Sequence, residues 1–523
     1  MTTLLLLLAQ QLPADSPLAP LLADAKALVV AFTAADCPVS KLYRPKLDRL
    51  EKDLKARGVR VLIVSADDPA MTKLLDVRRA TEVFLIDDGR KVRYRGALDD
   101  QYGLDYKKDA PSKTWLLDAL EAVLAGKAPA VANTDAPGCP IEKAVAATGK
   151  TTYHKDVAPI LSKRCVECHR PGEIGPFSLL SYADVKKVGR RVKEAVASRR
   201  MPPWHASPEA GSWHNDRSLT DAEIQSIVHW VDGGTPEGDP KDGPPARAFT
   251  DGWAIGTPDV VYKLPKPEAV PAEGAVDYRY LRVPTRLKED RWVAAMEIRP
   301  SARKVVHHVL VFVQYPLHRL NEQPPVDGGL EHGYFAIMVP GEGPTVFPEG
   351  LGKKIPAGGW LIFQIHYTTI GEPMEDQTGI GIIWAKKPAA KEVVTKGIVN
   401  TWIAIPPGAA RHKEEAVLMF DQDARILGLL PHMHVRGKAF RYTAIHPDGR
   451  EEVLLDIPRY DFNWQTCYRP KDLRVKAGTK IRATAWFDNS KDNPANPDPA
   501  KEVRFGQQSW EEMLIGYVDF VRD

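Results

Sequence analysis

The run Cys165-Val166-Glu167-Cys168-His169 constrains this chain more than any other five residues. Two thiols at that spacing, with an imidazole beside the second, are what covalent attachment of a c-type haem requires: the thiols add across the vinyl groups and the histidine is left facing the iron as fifth ligand. A thioether suits the sixth position. Met201, in Arg199-Arg200-Met201-Pro202-Pro203-Trp204, is the candidate, because paired prolines hold its loop extended over a ring. His205 and His214 are the competing donors. Two other chemistries use a Cys-x-x-Cys pair. A zinc site needs a second close pair of ligands, which is missing nearby. A dithiol redox motif opens a helix after a strand, whereas Asp156 to Leu161 reads as a helix ahead of the motif.

At 523 residues the chain is too long for one core, and three or four domains are expected. Lys+Arg 71 against Asp+Glu 68 leaves a net charge of +3, too balanced for nucleic acid or an anionic membrane to be the main partner. Leu4 to Leu8 and Ala9 resemble the apolar part of a signal peptide, assigned to residues 1–14, although a positive start is lacking. Haem attachment of this type takes place outside the cytoplasm, so a periplasmic or secreted protein is expected. No later apolar run is long enough to span a bilayer. With Cys165 and Cys168 committed to haem, Cys37, Cys139 and Cys467 remain, too few for a dense disulfide framework.

Over residues 15–128 a β-type run, Ala27 to Phe32, leads into Cys37 and then a helical pattern through Leu47, Leu50 and Leu54. Val59 to Val64, Val83 to Ile86 and Val92 to Tyr94 supply further strands, with a turn at Asp88-Gly89, and Ser112 caps a helix through Leu116, Leu120 and Leu124. This order resembles the thioredoxin-like redoxin family and implies an α/β domain. Ser40 stands where the second thiol of a redoxin pair would be, Ala34 replaces a peroxiredoxin threonine, and Ala80-Thr81-Glu82-Val83 lacks the usual proline. Cys37 at a helix start is a candidate redox thiol, with Cys139 in Pro137-Gly138-Cys139-Pro140 as its candidate partner; the alternative is a scaffold that only docks something.

Residues 129–150 read as a linker, and 151–240 as the haem-bearing domain. Val185, Val188, Val192 and Val196 form a helical stripe, and Thr220 with Glu223 forms a capping box ahead of Ile224, Ile227 and Val231. The order helix, thiol motif, helix, methionine loop, helix resembles a class I cytochrome c and implies an all-α domain. After a second linker, 241–257, short β-branched and aromatic runs separated by Gly and Pro imply two all-β sandwich domains, 258–395 and 396–523.

The β region holds clustered histidines. His307 and His308 are adjacent in a strand-like run. Neighbours in a regular strand face opposite sides, so both reach one metal only at a strand end or a bulge. His366 lies in another strand-like run. His432 and His434, at i and i+2, share one face, and Met513 follows later. For His318, His332, His412 and His446 a hydrogen-bonded structural role is expected. The order His-His, His, His-x-His, Met resembles the copper type II, ascorbate-dependent monooxygenases, the family of peptidylglycine α-hydroxylating monooxygenase and dopamine β-monooxygenase, over about residues 258–523.

That resemblance implies two copper ions, one on His307, His308 and His366, the other on His432, His434 and Met513. It further implies that the methionine-bearing copper activates dioxygen while the three-histidine copper relays electrons. Imidazole suits both copper oxidation states and a thioether favours Cu(I). Leu430 and Ile515 replace an arginine and an asparagine of the peptide-amidating members, so a glycine-extended peptide is not the expected substrate; Tyr517 keeps its family position, and Arg436 is an alternative anion-binding residue. The chain is therefore expected to be a copper monooxygenase that hydroxylates an organic substrate with O2. Electrons would come from an ascorbate-like reductant or a redox protein through the fused haem. The rival readings are a multi-domain electron carrier or copper-binding protein with no substrate, and a thiol peroxidase or oxidoreductase centred on Cys37.

Overall fold

Val- and Ile-rich runs punctuated by Gly and Pro set the architecture, which is 32% strand and 17% helix. The computed structural model describes residues 11–104, 106–141, 147–250, 252–319 and 330–523; the apolar leader Leu4 to Ala9 lies outside the described residues. No helix among them is long and apolar enough to cross a membrane.

The first part is a four-stranded sheet in the order Val59–Ser65, Ala27–Thr33, Val83–Asp87, Val92–Gly96, its first pair parallel and the others antiparallel. The helices Pro38–Lys55 and Trp115–Leu124 contribute Leu47, Leu54, Leu116 and Leu120 to its core. The second helix is entered from Thr114, not Ser112. Ser112 instead donates its N–H and hydroxyl to Asp100. The segment read as a linker is bound to this sheet, with Asn133 bridged to Arg95 and Pro140 to Arg79.

The expected composite of an α/β domain, an all-α cytochrome c domain and two sandwiches requires correction. Strand dominates, the described α-helices number eight, and no all-α domain stands apart. The valine stripe is real, but it divides into two helices, Tyr182–Lys187 and Gly189–Ala197. The capping box of Thr220 and Glu223 forms at the start of Asp221–Asp232. Between these helices the chain leaves its own small core and packs on β-structure. Trp213 enters the core of the last sandwich, and the rings of Trp204 and Trp213 lie edge-on to Tyr468 at 4.9 and 5.4 Å. Periodicity reports that a segment is helical; it does not report which body the intervening loop joins.

The rest of the chain forms two pairs of sheets. In the first pair one sheet runs Ala336–Met338, Val306–Gln314, Trp360–Tyr367, Arg279–Pro284, and the other is built on Leu351–Ile355, Arg291–Arg299, Gly379–Trp384 and Val260–Lys263. In the second pair one sheet runs Val394–Asn400, Leu514–Arg522, Ala424–His432, Arg474–Val475, and the other runs His412–Met419, Lys480–Phe487, Gly437–Ile445, Glu451–Ile457. Each pair encloses its own core, led by Val309, Val311, Leu361 and Phe363 in the first and by Leu429, Phe440, Tyr442 and Val518 in the second.

Alternation puts the intervening residues of the inner strands on the opposite face. There Leu310, Phe312 and Ile362 of one pair meet Leu430, Ile515 and Tyr517 of the other, an apolar seam between the two sandwiches. At its edge the buried Lys353 ammonium donates to the carbonyls of Tyr334 and Phe335 at 2.9 Å and to Thr395 Oγ1 at 2.7 Å, and Thr395 donates in turn to Asp519. Lys353→Met would leave these acceptors without a donor in a site closed to water. We expect a loss of about 3 kcal/mol in urea denaturation, against a loss near zero if the seam contributes little to stability.

Candidate metal centre

The same alternation builds the site. His308 continues the face of Leu310 and Phe312, and His366 that of Ile362, so both project from the end of the seam. His366 is paired with His308 across the two strands, but the next residue, Tyr367, is paired with Val306, which leaves His307 in a bulge. The bulge brings the adjacent histidines to one place. One ring nitrogen from each of His307, His308 and His366 lies within 4.8 Å of the others.

The facing sheet supplies the second set. His432 ends its strand opposite Ile515, so the chain that runs two residues on to His434 passes the chain that leads in through Met513. The rings of His432 and His434 are 5.2 Å apart and perpendicular. His308, His432, His434 and Met513 line one cavity of about 30 Å³, room for a water molecule or a diatomic gas. The two sets are therefore not two separate, open pockets. His308 of the first set shares that cavity with the second set, and the Phe462 ring stands 5.8 Å from His307 and 6.0 Å from both His366 and His434.

Hydrogen bonds select the nitrogen each imidazole offers. His307 Nε2 donates to the Asn463 carbonyl at 3.1 Å, which leaves Nδ1 with the lone pair, 3.1 Å from His308 Nδ1. His366 Nδ1 is buried and unpartnered. In the other set Nδ1 of His432 donates to Gln465 Oε1 at 2.7 Å and Nδ1 of His434 to the Glu511 carbonyl at 3.2 Å, so each presents Nε2; that of His434 is buried with no partner. Orphaned buried nitrogens carry a desolvation cost that a bound cation removes. Imidazole and thioether are the donors copper accepts, so the residues present fit copper in both sets. Burial holds His307 and His432 down at about 4 and His434 at about 3, with His308 and His366 well below the usual range, so all five rings are neutral donors.

Several contributors carry no sequence signal of their own. Glu512 accepts the N–H groups of His434 at 2.9 Å, Arg436 at 2.6 Å and Met513 at 3.3 Å, and ties both arms of the second set together. Burial raises its carboxyl to about 7. Asn463, Gln465 and Phe462 come from one loop whose residues are remote in sequence from every ligand. Tyr278, its hydroxyl buried and unpartnered, packs its ring 4.8 Å from His366. Arg436 is not available to an anion, because it is buried and donates to Asn489 Oδ1 at 2.9 Å and to the Trp510 carbonyl at 2.8 Å. The rings of His412 and His446 hydrogen-bond to Glu414 and Glu452 at 2.9 and 3.0 Å, as expected of structural residues.

The thiol motif lies close by. His169 Nδ1 donates to the Phe177 carbonyl at 3.2 Å, which leaves Nε2 as the free ligand nitrogen of an axial histidine, and Cys165 and Cys168 are free thiols; the three residues fit a covalent haem. Met201 lies on the loop after Gly189–Ala197, half-buried, its N–H on the Ala195 carbonyl. That loop is pinned to the last sandwich by Arg459, which donates to the Arg199 carbonyl at 2.9 Å. His205 is half-buried on the same loop, and His214 donates its N–H to the Arg469 carbonyl. Arg303, within electrostatic reach of Cys168, donates to the Val306 carbonyl at 2.7 Å, one residue before His307. A larger cavity, about 740 Å³, opens where the chain's parts meet, with Arg79, Lys107, His205, Tyr278, His366 and Phe462 in its wall. Its size suits a small organic molecule, and it reaches the three-histidine set.

No protein-family profile matches the chain. No curated protein matches it either. Among solved structures, a hypothetical protein of Sinorhizobium meliloti is similar at 23% identity over 24% of this chain and 85% of that one, with a TM-score of 0.22. An uncharacterized conserved protein of Geobacillus kaustophilus is similar at 22% identity over 27% of this chain and 94% of that one, with a TM-score of 0.22. The major capsid protein P2 of bacteriophage PM2 is similar at 8% identity over 50% of this chain and 97% of that one, with a TM-score of 0.23. At such scores these likenesses carry no argument about fold or function.

The neutral imidazoles give a pH dependence. Their folded values lie below the ordinary 6.5, so the unfolded chain binds more protons as the pH falls. Stability of the metal-free protein is fully present above about 6.5 and is lost as the pH drops toward about 4, by roughly 1.4 kcal/mol per pH unit for each imidazole. Denaturation midpoints of chelator-treated protein at neutral and mildly acidic pH check this; equal midpoints would mean that the rings are solvated.

Proposed function

We propose that this protein is an exported copper-dependent monooxygenase that hydroxylates an organic substrate with O2, its electrons arriving through a haem attached at Cys165 and Cys168. The observation that carries the reading is that His307, His308 and His366 each bring a ring nitrogen within 4.8 Å of the others, while His308 shares a small cavity with His432, His434 and Met513. Bound copper would supply one-electron transfer and the chemistry of dioxygen at the methionine-bearing set. His307, His308 and His366 would hold the relaying ion, and His432, His434 and Met513 the oxygen-binding one.

The chain's own residues do the rest. Gln465, the Glu511 carbonyl and the Asn463 carbonyl fix the tautomer and direction of three of the rings. Glu512 holds the His434 and Met513 backbones in register. Leu430, Ile515 and Tyr517 line the small cavity with apolar surface and limit the entry of bulk water. Arg303, within electrostatic reach of Cys168, donates to the Val306 carbonyl beside His307, so the thiol motif would face the three-histidine set on this side. The 740 Å³ cavity admits the substrate or the small reductant, with Tyr278 in the wall between the two spaces.

Metal and haem analysis of protein matured outside the cytoplasm should return two coppers and one haem per chain. His366→Ala should remove one copper, and Gln465→Ala should weaken the other by about 10–100-fold in competition with a chelator. Met513→Ile should retain the three-histidine copper and abolish substrate-dependent O2 uptake. A second reading, a copper-binding electron carrier with no substrate, draws on the burial of His307, His308 and His434. Fully loaded, reduced protein that consumes no O2 with any screened substrate would favour that carrier.

A further inference from the structure

Cys37 and Cys139 take no part in the copper and haem reading, and the fold brings them together from 102 residues apart. Cys37 stands at the N-cap of the 18-residue helix Pro38–Lys55. Cys139 arrives on a segment laid antiparallel along residues 78–80. Ala80 N–H donates to the Cys139 carbonyl at 2.8 Å and Ile141 N–H to the Arg78 carbonyl at 3.0 Å. The Arg79 side chain donates to the Gly138 carbonyl at 3.3 Å. Gly138 passes so close to Thr81 that a Cβ would have no room. The segment is in effect a built-in peptide bound beside the thiol.

Across this contact Cys139 N–H donates to Cys37 Sγ at 3.3 Å, which sets the two thiols side by side. The Cys139 thiol, followed by the N–H groups of Ser40 and Cys139, lowers Cys37 against the opposing effect of burial, while Cys139 is raised. One sulfur is favoured as thiolate and its neighbour keeps a proton, the asymmetry that a dithiol couple uses. Ser40, where a local second thiol would stand, is otherwise engaged: its hydroxyl donates to the Ala80 carbonyl at 2.8 Å and accepts the Ala34 N–H at 3.2 Å. The pair also touches the haem-bearing segment. From the helix Gly189–Ala197, Arg191 forms an ion pair with Asp36 at 2.7 Å and Glu194 one with Arg79 at 2.9 Å, and the Arg191 guanidinium is within electrostatic reach of both sulfurs.

We infer that Cys37 and Cys139 form a reversible dithiol–disulfide site, closed by the peptide segment 137–141 and seated against the helix that leads to Met201. Its co-reactant is a small disulfide. As one S–S bond forms in the protein, the reagent's S–S bond opens, and the two protons and two electrons of the protein thiols end on the two thiols released. Oxidation fastens the 137–141 segment to the start of the helix; reduction leaves it held by hydrogen bonds alone.

The test equilibrates the full-length protein in graded mixtures of reduced and oxidised dithiothreitol, traps free thiols with N-ethylmaleimide under denaturing conditions and maps the peptides by mass spectrometry. The expected result is a Cys37–Cys139 linked peptide, lacking two hydrogens, that appears and disappears with one midpoint. Cys139→Ser should leave Cys37 alkylated at every ratio. Arg191→Gln should still form the disulfide, but the pH profile of Cys37 alkylation in the reduced protein should move upward and its rate at neutral pH should fall several-fold, which a purely structural role would not produce. Recovery of both cysteines as alkylated thiols across the whole range would overturn the inference, as would an unchanged oxidised fraction of Cys37 in Cys139→Ser. Should that variant fold poorly, mapping of the unaltered protein decides alone. Copper content is read separately in the same samples, so failure of the copper reading leaves this result standing.

Discussion

Five imidazoles and a thioether gather where two sandwiches meet, three of the rings buried and two half-buried, and such a cluster of basic rings is tolerable only if the rings are neutral. The hydrogen bonds satisfy one nitrogen on His307, His432 and His434, from Asn463, Gln465 and Glu511. The nitrogens left over converge. A site of this kind is not stabilised by its own contacts; it is held open by the apolar seam of Leu310, Phe312, Ile362, Leu430, Ile515 and Tyr517 and by the Lys353 ammonium at its edge. The seam supplies the rigidity, and the histidines occupy the end of it where strands stop.

That arrangement makes the clustering of these side chains a property of strand register. His366 opposite His308, the bulge at His307, and His432 opposite Ile515 are backbone relations; a slip of one residue in either sandwich would turn the ligands into the cores. It also explains why the two sets are near neighbours. They belong to facing sheets whose separation is that of packed side chains, and Phe462 fills the gap that remains.

Much of this was legible in the residues themselves, and the parts that were not share one cause. His432 and His434 at i and i+2 announce a shared face, and the adjacent pair announces a bulge or strand end, because a period of two is local information. The capping box of Thr220 and Glu223 is local too, and it formed as read. Ser112 was read as a cap, but Asp100, twelve residues back, holds its hydroxyl and leaves Thr114 at the helix start. Gln465, Asn463 and Phe462 act on histidines far away in the chain, as Glu512 does on His434, and no spacing rule reaches them. The all-α domain failed for the same reason: the helices around Val185 to Val196 and Asp221 to Asp232 were anticipated, whereas the commitment of the loop between them to a distant β-core was not.

That commitment also bears on how the chain can be divided. Trp213 is inside the hydrophobic core of the final sandwich, Asn215 exchanges hydrogen bonds with Cys467 and Arg469, and Trp204 lies against Tyr468. A fragment begun at the second linker would carry a tryptophan-sized slot in its own interior and a row of strand-edge groups stripped of their partners. The haem-motif segment is thus less an attached module than a missing piece of the sandwich, delivered early in the chain and completed only when the last strands arrive.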